Sequence, residues 1–295
     1  MEIGKRIRQL RLSKMMTQSD LAGDQITRNM LCSIERGTAL PSLPTAIYLA
    51  GRLGVPVGLL FAGEKEEFPY RKMIEMPNIR RAFAAGDFAG CLSLLRSAFP
   101  QESDDELSLI RAEAEFGFAK ASFEEGHFRR AAMSFDRALL AAEKTIYDTT
   151  ALSGRAAVYF RYLSDVSPTL SSDVLSEEAV ASARAFGDEF CEYYMALDAL
   201  ENGREGEVAA YLERQKDTLY AARIRALTLM KKEDFAKAQA ALEALLDRPE
   251  LTVGALLYEV FGDLELCCRK NDDYKRAYEF AGSRMGLLER LLEDL

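Results

Sequence analysis

A phrase that the chain repeats constrains its fold more than any other feature. "AGDFAGCLSLLRSAFP" at 85–100 aligns with "EGHFRRAAMSFDRALL" at 125–140, and looser copies stand at 202–215, 232–246 and 271–284. Phe88, Phe128, Phe235 and Tyr274 anchor the frame. Three residues after each anchor comes Cys91, Ala131, Ala238 or Ala277, and seven after it Leu95, Phe135, Leu242 or Ala281. Offsets of three and seven keep these positions on one face of a helix. The anchors lie 40 residues apart (88 to 128) and 39 apart (235 to 274), with a related site at Glu205, 30 before Phe235. Such a period predicts paired helices stacked as a solenoid, because no single pair buries its apolar face alone. Val and Ile are sparse beyond residue 73 while Ala, Leu, Glu and Arg dominate, so no strand is expected there.

Residues 1–62 follow a different rule. Ile3, Ile7 and Leu10 form one apolar stripe among Lys5, Arg6, Arg8 and Arg11. Thr17 with Asp20 reads as a capping box opening a second helix, and Thr27 caps a third whose inner residues are Leu31 and Ile34. Gly37 ends that helix. A fourth is expected between Pro44 and Leu53, and a short fifth in "PVGLLF". Charge divides with the pattern. Residues 1–63 hold eight Lys/Arg against four Asp/Glu, net +4; the remainder holds thirty against forty-three, net −13, within a total of −9. A basic head on an acidic body fits one polyanion-binding module joined to something that avoids polyanions. The expected organisation is a head at 1–62, a linker at 63–70 and a solenoid of about five to six repeats at 71–295.

"TQSDLAG", "ITRNMLCSIERG" and "PSLPTAIYLAGRLGVPVGLLF" occur in that order, and through them residues 3–61 resemble the lambda/434-repressor type of helix-turn-helix in the Xre class. The turn "AGDQIT" is one residue shorter than the usual pattern. Residues 71–295 resemble tetratricopeptide repeats (TPR), best at Gly126, Phe128, Ala131, Phe135, Ala138 and Leu139. The combination resembles the peptide-responsive transcriptional regulators of Gram-positive bacteria. It implies an all-α chain: a five-helix lambda-repressor-like DNA-binding domain followed by an α-solenoid of TPR-like hairpins.

In helix-turn-helix docking the third helix enters the major groove by its N-terminal part. Arg28 and Asn29 open that helix; arginine pairs bidentately with guanine and asparagine with adenine. Gln18 begins the second helix and is expected at a phosphate, Ser33 at a base edge or phosphate, and Met30 at a thymine methyl or packed on the second helix. Lys5, Arg8, Arg36 and Thr38 match positions where family members touch the DNA backbone. Arg11 and Glu35 match a structural ion pair between the first and third helices. Placing the repeat frame on the sequence turns Met73, Arg80, Glu113, Lys120, Tyr193, Tyr220, Arg223 and Arg269 toward the concave surface. That surface would take a peptide or protein effector.

Other classes fare poorly. No phosphate-binding glycine loop and no Cys/His metal spacing occurs, and His127, the only histidine, falls in an inter-helix turn. No enzyme, cofactor or metal is expected. The five cysteines (Cys32, Cys91, Cys191, Cys267, Cys268) include no CxxC spacing and read as buried reduced thiols. No stretch approaches the ~20 apolar residues of a membrane span, and "MEIGKRIRQLRLSK" lacks the apolar core of a signal peptide. A cytoplasmic protein, with double-stranded DNA as partner and no membrane, is the expectation. DNA selectivity through two half-sites would require a homodimer. "MGLLERLLEDL" (285–295) reads either as a capping helix or as a dimer contact. Two alternatives stay open: a TPR interaction scaffold, and an antitoxin-like repressor with no small effector.

Overall fold

A computed structural model describes residues 3–63, 67–170 and 187–293. The described residues form sixteen α-helices and one short 3-10 turn, with no strand among them. Five helices make the head: α1 (Ile3–Ser13), α2 (Gln18–Ala22), α3 (Arg28–Arg36), α4 (Leu43–Leu53) and α5 (Val57–Phe61). They close around Ile7, Leu21, Leu31, Ile34, Leu49, Leu53 and Leu60. The helix ends are chemically specified. Thr17 and Asp20 exchange hydrogen bonds, Thr17 N–H to Asp20 Oδ2 at 2.8 Å and Asp20 N–H to Thr17 Oγ1 at 3.1 Å. The Met30 N–H donates to Thr27 Oγ1 at 3.1 Å, and Gly37 closes α3 in the left-handed region at φ 77°. α4 begins at Leu43, capped by Ser42, so Pro44 occupies its first turn, where the lost N–H does no harm.

α1 and α3 cross closely, and Gly4 is the reason that they can. A Cβ at this buried position would stand 1.9 Å from the Ile34 carbonyl oxygen, an atom of helix backbone that cannot step aside.

The chain beyond the head continues as α6 (Glu67–Ala84) and α7 (Phe88–Ala98). Residues 67–70, expected in a linker, therefore open a helix. Buried Arg6 ties that opening down, donating to the Ala62 carbonyl at 3.1 Å and pairing with Glu67 at 2.9 Å. Phe68 meets Phe99 edge-on at 5.8 Å between ring centres, and Arg71 donates to the Ala98 carbonyl at 3.2 Å and pairs with Glu102. Met1–Asp87 with Ser93–Glu102 form one compact unit; Phe88–Leu92 with Ser103–Leu295 form the other.

The second unit is built of α8 (Asp105–Glu124), α9 (Phe128–Ala142), α10 (Thr150–Val166), α11 (Glu189–Glu201), α12 (Glu205–Arg214), α13 (Leu219–Lys231), α14 (Phe235–Leu246), α15 (Ala255–Lys270) and α16 (Tyr274–Leu292). Antiparallel pairs α8–α9, α11–α12, α13–α14 and α15–α16 pack as helical hairpins, each leaning on its neighbours. Each repeat anchor is the first residue of a helix: Phe88 of α7, Phe128 of α9, Glu205 of α12, Phe235 of α14 and Tyr274 of α16. The residue two before each anchor is left-handed, at Gly86, Gly126, Gly203, Glu233 and Asp272, with φ between 58° and 83°. This single backbone inversion turns one helix back on the previous one; glycine adopts it freely, and Glu233 and Asp272 do so under strain. The small residues at the third position (Cys91, Ala131, Ala238, Ala277) are all buried, and in α9, α14 and α16 this lets the paired helices pack closely.

The last helix turns part of its apolar stripe inward. Leu287 and Leu291 are buried in the main core, and Leu291 Cδ2 would stand 3.0 Å from a Cβ at Gly126. This apolar stripe covers the interior of the repeat unit, against α9. Leu295 lies outside the described residues.

Two substitutions test these packing arguments. Gly4→Ala is expected to destabilise the head by about 1–3 kcal/mol, as forced overpacking does. Glu233→Gly is expected to stabilise the repeat unit by about 0.5–1 kcal/mol, the left-handed strain removed less the added chain entropy. Urea unfolding of each variant against the parent measures both signs.

Candidate nucleic-acid interface

The side chains of α3 divide cleanly. Leu31, Ile34 and Glu35 are buried, whereas Arg28, Asn29, Met30 and Arg36 are exposed and Ser33 and Cys32 are half-buried. Thr27 fixes where the helix starts, so Arg28 and Asn29 stand on its first turn with their side chains in the open.

What holds α3 in this attitude is a buried cluster around Glu35. Arg11 of α1 grips the carboxylate with two bonds, Nε to Oε1 at 2.6 Å and Nη2 to Oε2 at 3.0 Å. Its remaining Nη1 donates to the Met16 carbonyl at 2.8 Å. Gln18 of α2 donates its amide to Glu35 Oε2 at 2.9 Å. Burial alone would raise the Glu35 carboxyl, but the hydrogen bonds from Arg11 and Gln18, with the charges of Arg11 and Arg8, hold it below its ordinary value. Three helices are thereby lashed to one carboxylate. The Gln18 side chain, expected at a phosphate, is half-buried and hydrogen-bonded to Glu35 in the DNA-free chain.

The remaining head residues are surface groups. Lys5, Arg8, Arg36 and Thr38 are exposed, and the Thr38 hydroxyl donates to the Ser33 carbonyl at 3.0 Å, bracing the turn after α3. Of the eight head cations, Arg6 and Arg11 are buried; Lys5, Arg8, Lys14, Arg28, Arg36 and Arg52 are exposed. Asp20 and Asp24 are exposed, whereas Glu35 is consumed by Arg11. The surface of the head is therefore positive in the same sense as its sequence.

The expected effector residues are scattered. Met73 and Arg80 belong to the unit that holds the head. Glu113 is half-buried on α8, and Arg269 is exposed on α15, 3.6 Å from Glu265. Lys120 pairs with Asp188 at 3.1 Å. Tyr193 is 1% exposed, stacked on Tyr220 at 4.4 Å, and accepts from Arg223. Arg223 also forks onto Asp263 at 2.6 and 3.1 Å and reaches Glu259 at 3.1 Å. Tyr193 and Arg223 are thus packing and network residues of the interior. Their partners stand 30 to 40 positions away, beyond the reach of local periodicity.

A cavity of about 1100 Å³ does open in the repeat unit, walled by α10, α11, α13, α15 and α16. Arg223 lies at its lining, together with Arg161, Tyr194, Asn202, Lys231 and Arg284. The repeat frame missed most of these, because they come from several helices and no single periodicity connects them. Cys91, Cys191, Cys267 and Cys268 are buried, and burial pushes the Cys267 thiol up to about 12. Cys32 is only half-buried, correcting the expectation that all five are interior; its place on the outer side of α3 explains this. Among the described residues no His/Cys/Asp/Glu group could hold a metal ion, and no helix is long and apolar enough to cross a membrane.

Residues 7–60 match the helix-turn-helix family, and the chain carries an N-terminal helix-turn-helix DNA-binding domain of the Xre type. Over the whole chain it is similar to PlcR of Bacillus thuringiensis, solved in complex with the peptide PapR7 and DNA, at 13% identity over 99% of both chains and a TM-score of 0.25. It is similar also to the SHP pheromone receptor Rgg2 of Streptococcus dysgalactiae, at 15% identity over 83% of this chain and 98% of that one, with a TM-score of 0.22. ComR of S. thermophilus, solved with DNA and its signalling peptide ComS, is 15% identical over 97% and 99% of the two chains, with a TM-score of 0.22. No curated protein matches in sequence.

Removing one partner of a buried ion pair leaves the other uncompensated and costs ~3–5 kcal/mol. Glu35→Gln should weaken the head by that order at neutral pH. The Glu35 carboxyl is depressed from its ordinary 4.5, so its contribution is complete above that value and fades as pH falls through the lower folded-state value. Amide exchange in residues 3–61 checks this: protection in the parent should fall on acidification, and the variant should respond less.

Proposed function

We propose that the chain is a sequence-specific DNA-binding transcriptional regulator whose repeat unit binds a peptide or protein effector and mediates dimerisation. One observation carries the reading. Arg28 and Asn29 stand exposed on the first turn of a helix whose other face is locked to α1 and α2 through Glu35. A bidentate donor for guanine and a bidentate partner for adenine, held side by side on a rigid helix, suit the base edges of the major groove. Met30 reaches a thymine methyl from the same turn, and Ser33 adds a contact one turn on. Lys5, Arg8, Arg36 and Thr38 meet the phosphates, fixing register without reading sequence.

One head supplies few phosphate contacts, and modules of this kind bind non-specific DNA at only ~10⁻⁴–10⁻⁶ M. Two heads on half-sites about one helical turn apart would supply the missing affinity, and the acidic repeat unit is the body able to join them. The cavity of about 1100 Å³ in that unit, lined by both charged and apolar side chains, is where an effector would act. Regulation then consists of changing how two heads are presented to DNA.

DNA fragments selected from a genomic library by the parent protein supply the test. Each bidentate pair discriminates by about 1–3 kcal/mol, so Arg28→Ala with Asn29→Ala should reduce selective binding by roughly thirtyfold or more. Because both side chains are exposed, the unfolding midpoint should not move. Selective retardation that survives the double substitution contradicts the assignment.

A further inference from the structure

The charged lining of the large cavity is almost wholly committed to the protein itself. Arg223 is forked onto Asp263 and Glu259, and Arg204 pairs with Asp198. The Tyr194 hydroxyl donates to Asp165 at 3.3 Å, and the Lys231 ammonium donates to the Leu200 carbonyl. Arg161 has a partner of its own.

Arg284 is different. It projects from α16 with its guanidinium carbon 4.4 Å from the centre of the Tyr258 ring. Its Nε is buried and makes no hydrogen bond. Among the described residues no carboxylate pairs with it, although it is half-buried and lines the cavity. The neighbouring helix is shaped for it: a Cβ at Gly262, inside α15, would lie 2.9 Å from the guanidinium carbon and 3.0 Å from Nη1. Glycine inside a helix is destabilising relative to alanine, and the clearance for Arg284 accounts for its presence here.

A ring beneath, a notch beside and, among the described residues, no carboxylate paired with it leave a planar cation facing a space large enough for several residues of extended chain; drug-sized ligands fill about 300–1,000 Å³. Val166, Leu197, Leu200 and Leu227 supply apolar wall to the same space. Arginine in such a setting recognises carboxylate, two donors to two oxygens.

We propose that Arg284 is the carboxylate-binding group of this cavity, and that a peptide effector is held there through a carboxylate. The inference rests on the reading of the repeat unit as a peptide-binding body and names the chemistry of its site. The carboxylate is supplied either by the peptide's C-terminus or by an Asp or Glu side chain.

Three pools of short mixed-sequence peptides separate the sources. The first lacks Asp and Glu and ends in a free carboxylate; the second lacks them and is amidated; the third is amidated but contains Asp and Glu. Each is incubated with the full chain, and retained peptide is counted by mass spectrometry after ultrafiltration. The parent should retain about tenfold more of the first or third pool than of the second, the ratio expected of one charge-assisted pair. Preference for the first identifies the C-terminus and preference for the third a side chain. Arg284→Met should abolish the preference, and Arg284→Lys should keep part of it. Gly262→Ala provides a second variant, which should weaken the preference while leaving the arginine in place. Equal retention of the first, second and third pools overturns the carboxylate assignment but leaves peptide binding standing. So does a preference that Arg284→Met and Gly262→Ala leave intact. If no pool is retained by the parent, the peptide-binding reading itself fails and the proposal with it.

Discussion

The geometry of the head hangs on one buried carboxylate. Glu35 is held from two helices and a turn: by Arg11 Nε and Nη2, by the Gln18 amide, and, through Arg11, by the tie to the Met16 carbonyl. Apolar packing alone would let α3 slide or roll on α1, since Leu31 and Ile34 specify a face and not a rotation to within a few degrees. A bidentate arginine–carboxylate pair has direction as well as energy. With Gly4 admitting the Ile34 carbonyl and Arg11 fixing the end of α3, the helix has one allowed attitude. Arg28 and Asn29 inherit theirs from it. For the proposed function, the decisive interaction is thus one buried beneath α3 and not one on its exposed face.

The repeat unit solves a different problem, that of stacking hairpins whose own cores are thin. A left-handed residue two before each second helix sets the reversal, and a small residue three after the anchor sets the distance. Aromatic rings then fill what remains. Phe123, Tyr159, Tyr162 and Phe190 meet edge to face or stacked at 4.7 to 5.7 Å, joining α8, α10 and α11 into one interior. The Tyr162 hydroxyl reaches the Ala255 carbonyl at 3.3 Å, and Arg223 reaches Asp263, so helices far apart in sequence are bound across the unit. The cavity is what these long-range bonds leave open. Its charged residues are mostly structural ties, and Arg284 is left facing the space they enclose.

Local chemistry was readable from the sequence where the cause is local. Thr17 with Asp20, Thr27 and Gly37 act within a turn or two of themselves, and the repeat anchors obey a period, so helix ends and hairpins could be read directly. Burial of polar groups was not readable in the same way. Arg6 sits among solvated cations in the sequence, yet Ala62 and Glu67 return to enclose it, because the segment after the head folds as a helix. Tyr193 and Arg223 have the right offsets for a groove, but partners 30 to 40 residues downstream draw them inside. Leu287 and Leu291 could equally have faced a second copy or their own core; only the packing against α9 decides for the core. Arg284 gave no signal at all, since its meaning depends on a ring and a glycine in a neighbouring helix.

The central claim is that the start of α3 enters the major groove. Guanine N7 lies in that groove, so methylation of this atom reports on it directly. Dimethyl sulfate footprinting of the full chain on a selected genomic fragment should give guanine protection in two clusters about one helical turn apart, on the same face of the duplex. Binding that leaves every guanine N7 as reactive as in free DNA, with protection confined to the minor groove, would contradict the account.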